Sequence, residues 1–147
     1  MNKEFKTDTQ FVEKIYERIR AFNNEETTKE AIKMSTNILQ KGETFLKFGK
    51  LGEPHKRFVY VSDDERNLFW CKLKDGNRRS KIRCLPCSSI VDIKVGCNTT
   101  AILKKYNIPI EFDDLVFSII TKTRSLDLQA TSSEVRNRWV KFLKIIL

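Results

Sequence analysis

The 147-residue chain has no hydrophobic run near the roughly 18–20 residues that a membrane-spanning helix needs. Its first ten residues, MNKEFKTDTQ, are too polar for a secretory signal peptide, and Asn2 stands where N-myristoylation requires glycine. With one histidine and neither a G-x-S-x-G nor a G-x-x-x-x-G-K-[ST] motif, it offers little from which to build a catalytic site. We therefore expect a cytosolic protein that is not an enzyme and needs no cofactor.

Cysteine is scarce and poorly spaced for a metal. Cys84-Leu-Pro-Cys87 is a single C-x-x-C pair, whereas a convincing zinc site has two such pairs or cysteine and histidine at set spacing. The sole histidine, His55, is distant in sequence, and no βαβ pattern suggests a thioredoxin-like redox role. We expect free thiols and no metal site.

Positive charge is abundant and uneven. The net charge is +9, and residues 47–83 hold 11 Lys and Arg against 5 Asp and Glu. Such a field favours an anionic partner, which could be nucleic acid, an acidic protein or an anionic membrane. Nucleic acid is the weakest of these because the basic region lacks the interleaved aromatic platform of a single-strand binder.

Residues 1–41 have a helical pattern, which predicts a helical N-terminal extension. An apolar stripe comprises Phe11, Val12, Ile15, Tyr16, Ile19 and Phe22. A second helix is predicted from Thr27-Thr28 to Leu39, with Gly42 placed as its C-cap.

In residues 42–147 the apolar residues recur with a period of two, which predicts short strands. The expected strands are 44–48, 57–62, 67–73, 80–84, 90–95, 115–121 and 125–130, with a short helix at 100–106. Asp75-Gly76 supplies a tight turn. A last helix follows, with Thr131 and Glu134 as a capping box and Val135, Trp139, Phe142 and Ile146 as its apolar stripe. Together these predict a mainly β domain, a small barrel or sandwich closed by a helix.

Three segments carry a family resemblance. KGETFLKFGK, EFDDLVFSIITKTRSLDLQA and SSEVRNRWVKFLKIIL resemble the first strand, the last two strands and the closing helix of the pleckstrin-homology domain of the phospholipase C-delta type. The resemblance covers residues 41–147, and Trp139 falls at the family's hallmark tryptophan. It implies a seven-stranded antiparallel barrel or sandwich capped by a C-terminal helix.

The short chain and its helical extension look most like the acylated pleckstrin-homology-domain family of apicomplexan parasites. That resemblance implies a peripheral phosphatidic acid sensor that controls docking or exocytosis of secretory micronemes from the cytoplasmic face of membranes. It also implies an acylated N-terminus, which Asn2 does not provide. We expect a monomer whose protein partner is unknown.

The resemblance also implies a lipid site. Lys47 and Arg57 match the family's pocket lysine and arginine, Lys74 lies near a further basic position, and Ser125 matches a hydroxyl position. Leu51 at the glycine-flanked loop tip is expected to enter the membrane interface. The expected lipid-binding residues are Lys47, Lys50, Leu51, His55, Lys56, Arg57, Lys74 and Ser125.

Departures from the phospholipase C pattern favour a small head group. Gly49 replaces a basic residue, Glu53 adds a repelling carboxylate, and His55 interrupts the basic pattern. Phosphatidic acid, a phosphomonoester, needs only two or three Lys or Arg donors. A phosphoinositide-binding domain is the first alternative. A protein-interaction scaffold that uses Phe11, Ile15, Ile19 and Phe22 is the second.

Overall fold

The computed structural model describes residues 12–15, 17 and 25–147. The α-helices with defined bounds in this part of the chain are α1 Glu25–Lys41, α2 Ala101–Tyr106 and α3 Ser133–Ile146. The strands are β1 Glu43–Phe48, β2 His55–Val61, β3 Asn67–Lys74, β4 Arg78–Pro86, β5 Ile90–Val95, β6 Val116–Thr121 and β7 Ser125–Gln129. Residues 12–15 and 17 are also helical.

The seven strands form one antiparallel sheet in the order β4-β3-β2-β1-β7-β6-β5. Strand β1 joins its two halves, because residues 43–47 pair with β2 and residues 46–48 pair with β7. The predicted seven-stranded fold with a closing helix is therefore confirmed.

The core lies between the sheet and α3. Phe45 of β1 meets Phe117 of β6 edge-to-face at 5.4 Å and Trp139 of α3 at 5.2 Å. All three rings are buried, Trp139 to 1% exposure. Such contacts add specificity to the apolar burial that drives folding, and they hold α3 across one end of the barrel.

The start of α3 differs from the sequence prediction by one residue. The cap is Ser132, whose hydroxyl oxygen accepts a hydrogen bond from the Val135 N–H at 3.2 Å. Thr131 was predicted as the cap, and that assignment is wrong. Ser132 has the extended backbone of a cap residue and lies three positions before the free N–H, which is the reach of a capping hydroxyl.

Helix α1 and the preceding segment share the barrel's hydrophobic core. Val12, Ile15, Ala31 and Leu39 belong to the same buried cluster as the sheet residues. Gly42 ends α1 as predicted: its φ is +85° and its N–H donates to the Ile38 carbonyl at 3.3 Å.

Some sequence predictions fall beyond the described part of the chain. Of the predicted stripe, Phe11, Tyr16, Ile19 and Phe22 lie outside the described residues.

The predicted turn at Gly76 has φ +71°, as an Asp-Gly turn requires. Within the described residues no helix is both long and apolar enough to cross a bilayer.

Candidate functional site

A cavity of about 380 Å³ opens beside the β1–β2 loop. Its walls come from β1, the β1–β2 loop, β2, β3, β4 and the β6–β7 turn. The lining residues are Lys47, Gly49, Leu51, Glu53, His55, Arg57, Trp70, Lys81, Arg83 and Arg124.

Lys47 of β1 and Arg57 of β2 lie on the same face of the sheet as the buried core residues. Phe45 is opposite Arg57, and Lys47 is opposite His55. Because side chains alternate along a strand, Lys47 follows buried Phe45 on one face, and Arg57 precedes buried Val59 on the same face. The core face therefore becomes a cationic face as it reaches the end of the barrel.

Strand β4 adds two further cations. Arg83 is opposite Trp70, whose buried ring lines the cavity, and Lys81 lies two residues earlier. A bulge shifts the β3–β4 register between Trp70 and Lys72, and Lys81 within it has φ +53°.

The bulge separates two arginines that simple alternation would place together. Arg83 lines the cavity, whereas Arg79 lies on the other face of the sheet, stacked over Tyr60 at 4.1 Å and Phe58 at 5.3 Å. The four-residue spacing would put both on one face of a regular strand. The bulge therefore decides which β4 cations reach the cavity.

The fifth cation, Arg124, comes from the β6–β7 turn. The Thr121 N–H donates to the Arg124 carbonyl at 2.8 Å, and the Thr121 hydroxyl oxygen accepts from the Arg124 N–H at 3.0 Å. Its guanidinium lies 5.2 Å from the centre of the Trp70 ring. A closed turn and a stacking contact thus fix Arg124 over the cavity floor.

These five cations carry little local counter-charge. In the described part of the chain, no carboxylate lies within ion-pair distance of Lys47, Arg57, Lys81, Arg83 or Arg124. Burial lowers the pKa of Lys47, and the charges of Arg124 and Arg57 lower it further. An anion in the cavity would relieve this repulsion.

Ser125 lies outside the cavity lining. The Ser125 hydroxyl donates to Asp127 Oδ2 at 2.7 Å. Asp127 is fully buried and also accepts hydrogen bonds from Ser118 at 2.6 Å and from Thr100 at 2.8 Å. Because the Ser125 proton is already donated, this serine is not placed to donate to a ligand in the cavity.

The predicted site residues divide into two groups. Lys47, Leu51, His55 and Arg57 are brought together at the cavity. Lys50, Lys56, Lys74 and Ser125 are not.

The three lysines of the second group lie elsewhere on the surface. Lys50 is exposed at the loop tip, and Lys74 is exposed where β3 ends. Lys56 faces a second cavity of about 350 Å³, which it shares with Phe58 and Lys72. Arg57 and His55 line this second cavity as well as the first.

Sequence reasoning missed Lys81, Arg83, Arg124 and Trp70 as site residues. The pairing of Arg83 with Trp70 depends on the β3–β4 register, which no local motif states. The basic turn residue Arg124, next to the matched last strand, was the one available signal.

Residues 27–147 match the PH domain family, so the chain belongs to the PH, or pleckstrin-homology, domain family. The match begins within α1. PH domains are non-catalytic modules, and membership of this family is consistent with lipid binding. Among the described residues, no group of three or more His, Cys, Asp or Glu could hold a metal ion.

Several solved structures share the fold at low sequence identity. Inner membrane complex sub-compartment protein 1 from Toxoplasma gondii is 14% identical with a TM-score of 0.57, over 80% of this chain and 90% of that chain. The PH domain from TgAPH is 15% identical with a TM-score of 0.53, over 81% and 89%. The PH domain from PfAPH is 18% identical with a TM-score of 0.52, over 80% and 88%. At these identities the likeness concerns the fold alone.

Proposed function

We propose that this PH domain is a peripheral membrane module whose cationic cavity binds the phosphomonoester head group of an anionic phospholipid, with phosphatidic acid as its lipid. The observation that supports this is the convergence of five cations without carboxylate partners on one cavity. Four of them stand on strands and one on a closed turn, so the donors are held ready before a ligand arrives.

A phosphate group fits this donor set. Its oxygens accept charge-assisted hydrogen bonds, and guanidinium groups such as those of Arg57 and Arg83 can donate two in parallel. The negative charge would also restore the pKa of Lys47 towards its ordinary value, because it opposes the neighbouring arginines. Binding and proton uptake by Lys47 are therefore linked.

Glu53 is the feature that favours phosphatidic acid. It is the single carboxylate among the lining residues. A lining carboxylate repels every phosphate in the cavity, so it penalises a head group with several phosphates more than one with a single phosphate. Leu51, 90% exposed on the loop beside the cavity, suits a lipid whose phosphate lies close to the acyl chains.

A phosphoinositide is the second candidate, and a specific observation favours it. Lys81, Arg83 and Arg124 join Lys47 and Arg57 at the cavity, which is more positive charge than one phosphate neutralises. The cavity of about 380 Å³ is also within the usual range for small-ligand sites.

Vesicle binding at matched surface charge separates the candidates. Vesicles contain phosphatidic acid, phosphatidylinositol bisphosphate or phosphatidylserine, and the bound fraction is measured by sedimentation. Strongest binding to phosphatidic acid supports the proposal, and strongest binding to the bisphosphate supports the alternative. Equal binding to all three, including the diester phosphatidylserine, would contradict a head-group pocket.

Glu53→Gln sharpens the same experiment. Removal of this carboxylate should raise affinity for the bisphosphate more than affinity for phosphatidic acid. An equal gain for both lipids would remove Glu53 as the basis of selectivity.

We also propose that lipid binding controls docking or exocytosis of secretory organelles, the micronemes, which follows from the sequence resemblance to the acylated family. A single head-group contact gives weak attachment, so stable residence needs a second membrane signal. Microscopy of the tagged protein should place it at the microneme surface. Localisation to another membrane, unchanged by Arg57→Glu, would overturn this role.

A further inference from the structure

Helix α2 is a six-residue helix between β5 and β6, and its N-terminus is anchored to the buried carboxylate of Asp127. The Thr100 hydroxyl caps α2 by accepting from the Leu103 N–H at 3.2 Å, and it donates to Asp127 at 2.8 Å. Asp127 is also one of the charges that act on Lys47. This end of α2 is therefore joined to the structure that supports the site.

The last residue of α2, Tyr106, holds the β1–β2 loop. Its hydroxyl lies 2.7 Å from the Gly49 carbonyl and 2.9 Å from the Gly52 carbonyl, so its one proton is shared between two acceptors. The hydroxyl oxygen also accepts from the Gly49 N–H at 3.3 Å. No other side chain in the described part of the chain hydrogen-bonds the backbone of residues 49–53.

A small separate core makes α2 a firm support. Phe48, Cys97, Leu103 and Val116 form a buried cluster distinct from the main core. The Tyr106 ring packs on this cluster and meets Phe48, the last residue of β1, edge-to-face at 4.9 Å. The loop is therefore fixed at its base by the Phe48 ring and near its tip by the Tyr106 hydroxyl.

We propose that Tyr106 is a positioning residue for the lipid site: through Gly49 and Gly52 it keeps the cavity wall formed by Gly49, Leu51 and Glu53 in place and Leu51 turned outward. The predicted effect on lipid binding rests on the proposed function, whereas the hydrogen bonds from Tyr106 to the loop are present without lipid. A glycine-flanked tip is otherwise free to sample many conformations, and ordering it on binding would cost affinity.

Hydrogen exchange of the lipid-free protein tests the hold directly. Tyr106→Phe keeps the ring and removes the hydroxyl, so the Gly49 amide loses its acceptor, and its exchange should accelerate by about fivefold or more. Tyr60→Phe is the matched control. The Tyr60 hydroxyl has no hydrogen-bond partner within the described residues and lies on the other face of the sheet. Unchanged exchange at residues 49–52 in Tyr106→Phe would overturn the proposal.

Vesicle affinity tests the consequence through a double-mutant cycle. Tyr106→Phe should weaken binding to phosphatidic acid vesicles by about fivefold, but by less than about twofold when Leu51 is already alanine. Equal losses in both backgrounds would show that the effect of Tyr106 does not pass through Leu51, and this would overturn the proposal that Tyr106 keeps Leu51 turned outward. If the wild-type protein fails to bind any vesicle, the proposed function falls, and hydrogen exchange still decides whether Tyr106 holds the loop.

Discussion

The cations around α3 and the cations at the cavity have opposite surroundings. Arg136 of α3 donates to the Val116 carbonyl at 3.0 Å, Arg138 lies 3.6 Å from the Glu43 carboxylate, and Lys141 pairs with Glu13. In the described part of the chain the five cavity cations have no carboxylate partner, although Arg57 donates a hydrogen bond to the Lys56 carbonyl at 2.7 Å. Both regions are basic, so the presence of positive charge does not distinguish a binding site from a structural one; its partners do.

The difference has an energetic meaning. The cations around α3 are paired and join elements of the fold. At the cavity, burial and then the charges of the neighbouring arginines lower the pKa of Lys47. Functional sites often lower the stability of the ligand-free protein in this way, because binding requires groups that destabilise the free state. Substitutions in the two regions should therefore have effects of opposite kind: on stability around α3, and on lipid binding at the cavity.

The largest expected effect is on stability and comes from the core beneath α3. Trp139→Ala removes a ring that is 1% exposed and contacts Phe45 at 5.2 Å. Large-to-small changes of this kind cost about 3–5 kcal/mol, which urea denaturation measures. The folded fraction should keep its vesicle affinity. A loss below about 1 kcal/mol would contradict the packing described here.

Arg57→Glu should have the largest effect on binding. It reverses a charge that lines the cavity, and loss of hydrogen bonds to a charged group should weaken phosphatidic acid binding by about 10- to 100-fold. Lys33→Glu makes the same charge change on the exposed face of α1 and serves as the control. Similar losses in both proteins would mean that net charge, rather than the cavity, sets affinity.

Lys47→Met should stabilise the free protein and weaken its lipid binding, by less than Arg57→Glu does. The folded state lowers the pKa of Lys47, so it binds this proton less well than the unfolded chain does. The penalty is complete at any pH where Lys47 is charged in both the folded and the unfolded state, and it fades as the pH rises through the folded pKa towards the ordinary lysine value. The melting temperature should rise by a few degrees at pH 7, and the gain should shrink in alkaline buffer. A lower melting temperature at pH 7 would show that Lys47 stabilises the fold.

Glu43→Gln should have the smallest effect. Its partner Arg138 is partly exposed with it, and such ion pairs contribute at most about 1 kcal/mol. Thermal unfolding should detect a small loss of stability, while vesicle affinity stays unchanged. A change in lipid affinity for Glu43→Gln would contradict the division between stability effects around α3 and binding effects at the cavity.

Much of the fold could be predicted because its signals are local. The period-two strands, the Asp75-Gly76 turn, the Gly42 cap and the Trp139 stripe each follow from neighbouring residues, and the structure has all of them. The cap of α3 was misplaced because Thr131 and Ser132 are both good cap residues. Local sequence does not state which of two adjacent hydroxyls faces the free N–H.

The cavity could be predicted only in part because it is assembled across strands. Lys47 and Arg57 bracket one hairpin loop, so a linear motif contains both. Arg83 and Arg124 arrive from β4 and the β6–β7 turn, and the β3–β4 bulge decides that Arg83 faces the cavity while Arg79 does not. A bulge changes the facing of side chains without a distinctive sequence.

Two substitutions within β4 test whether the cavity cations, which lack carboxylate partners, bind the head group. Arg83→Gln and Arg78→Gln remove the same charge from the same strand, but only Arg83 lines the cavity. Titration with phosphatidic acid vesicles should show at least about a tenfold loss of affinity for Arg83→Gln, on the order of one hydrogen bond to a charged group. Arg78→Gln should lose at most about twofold to threefold, because Arg78 contributes only general attraction to the membrane surface. Equal losses for the two proteins would contradict head-group binding in the cavity, because affinity would then follow net charge.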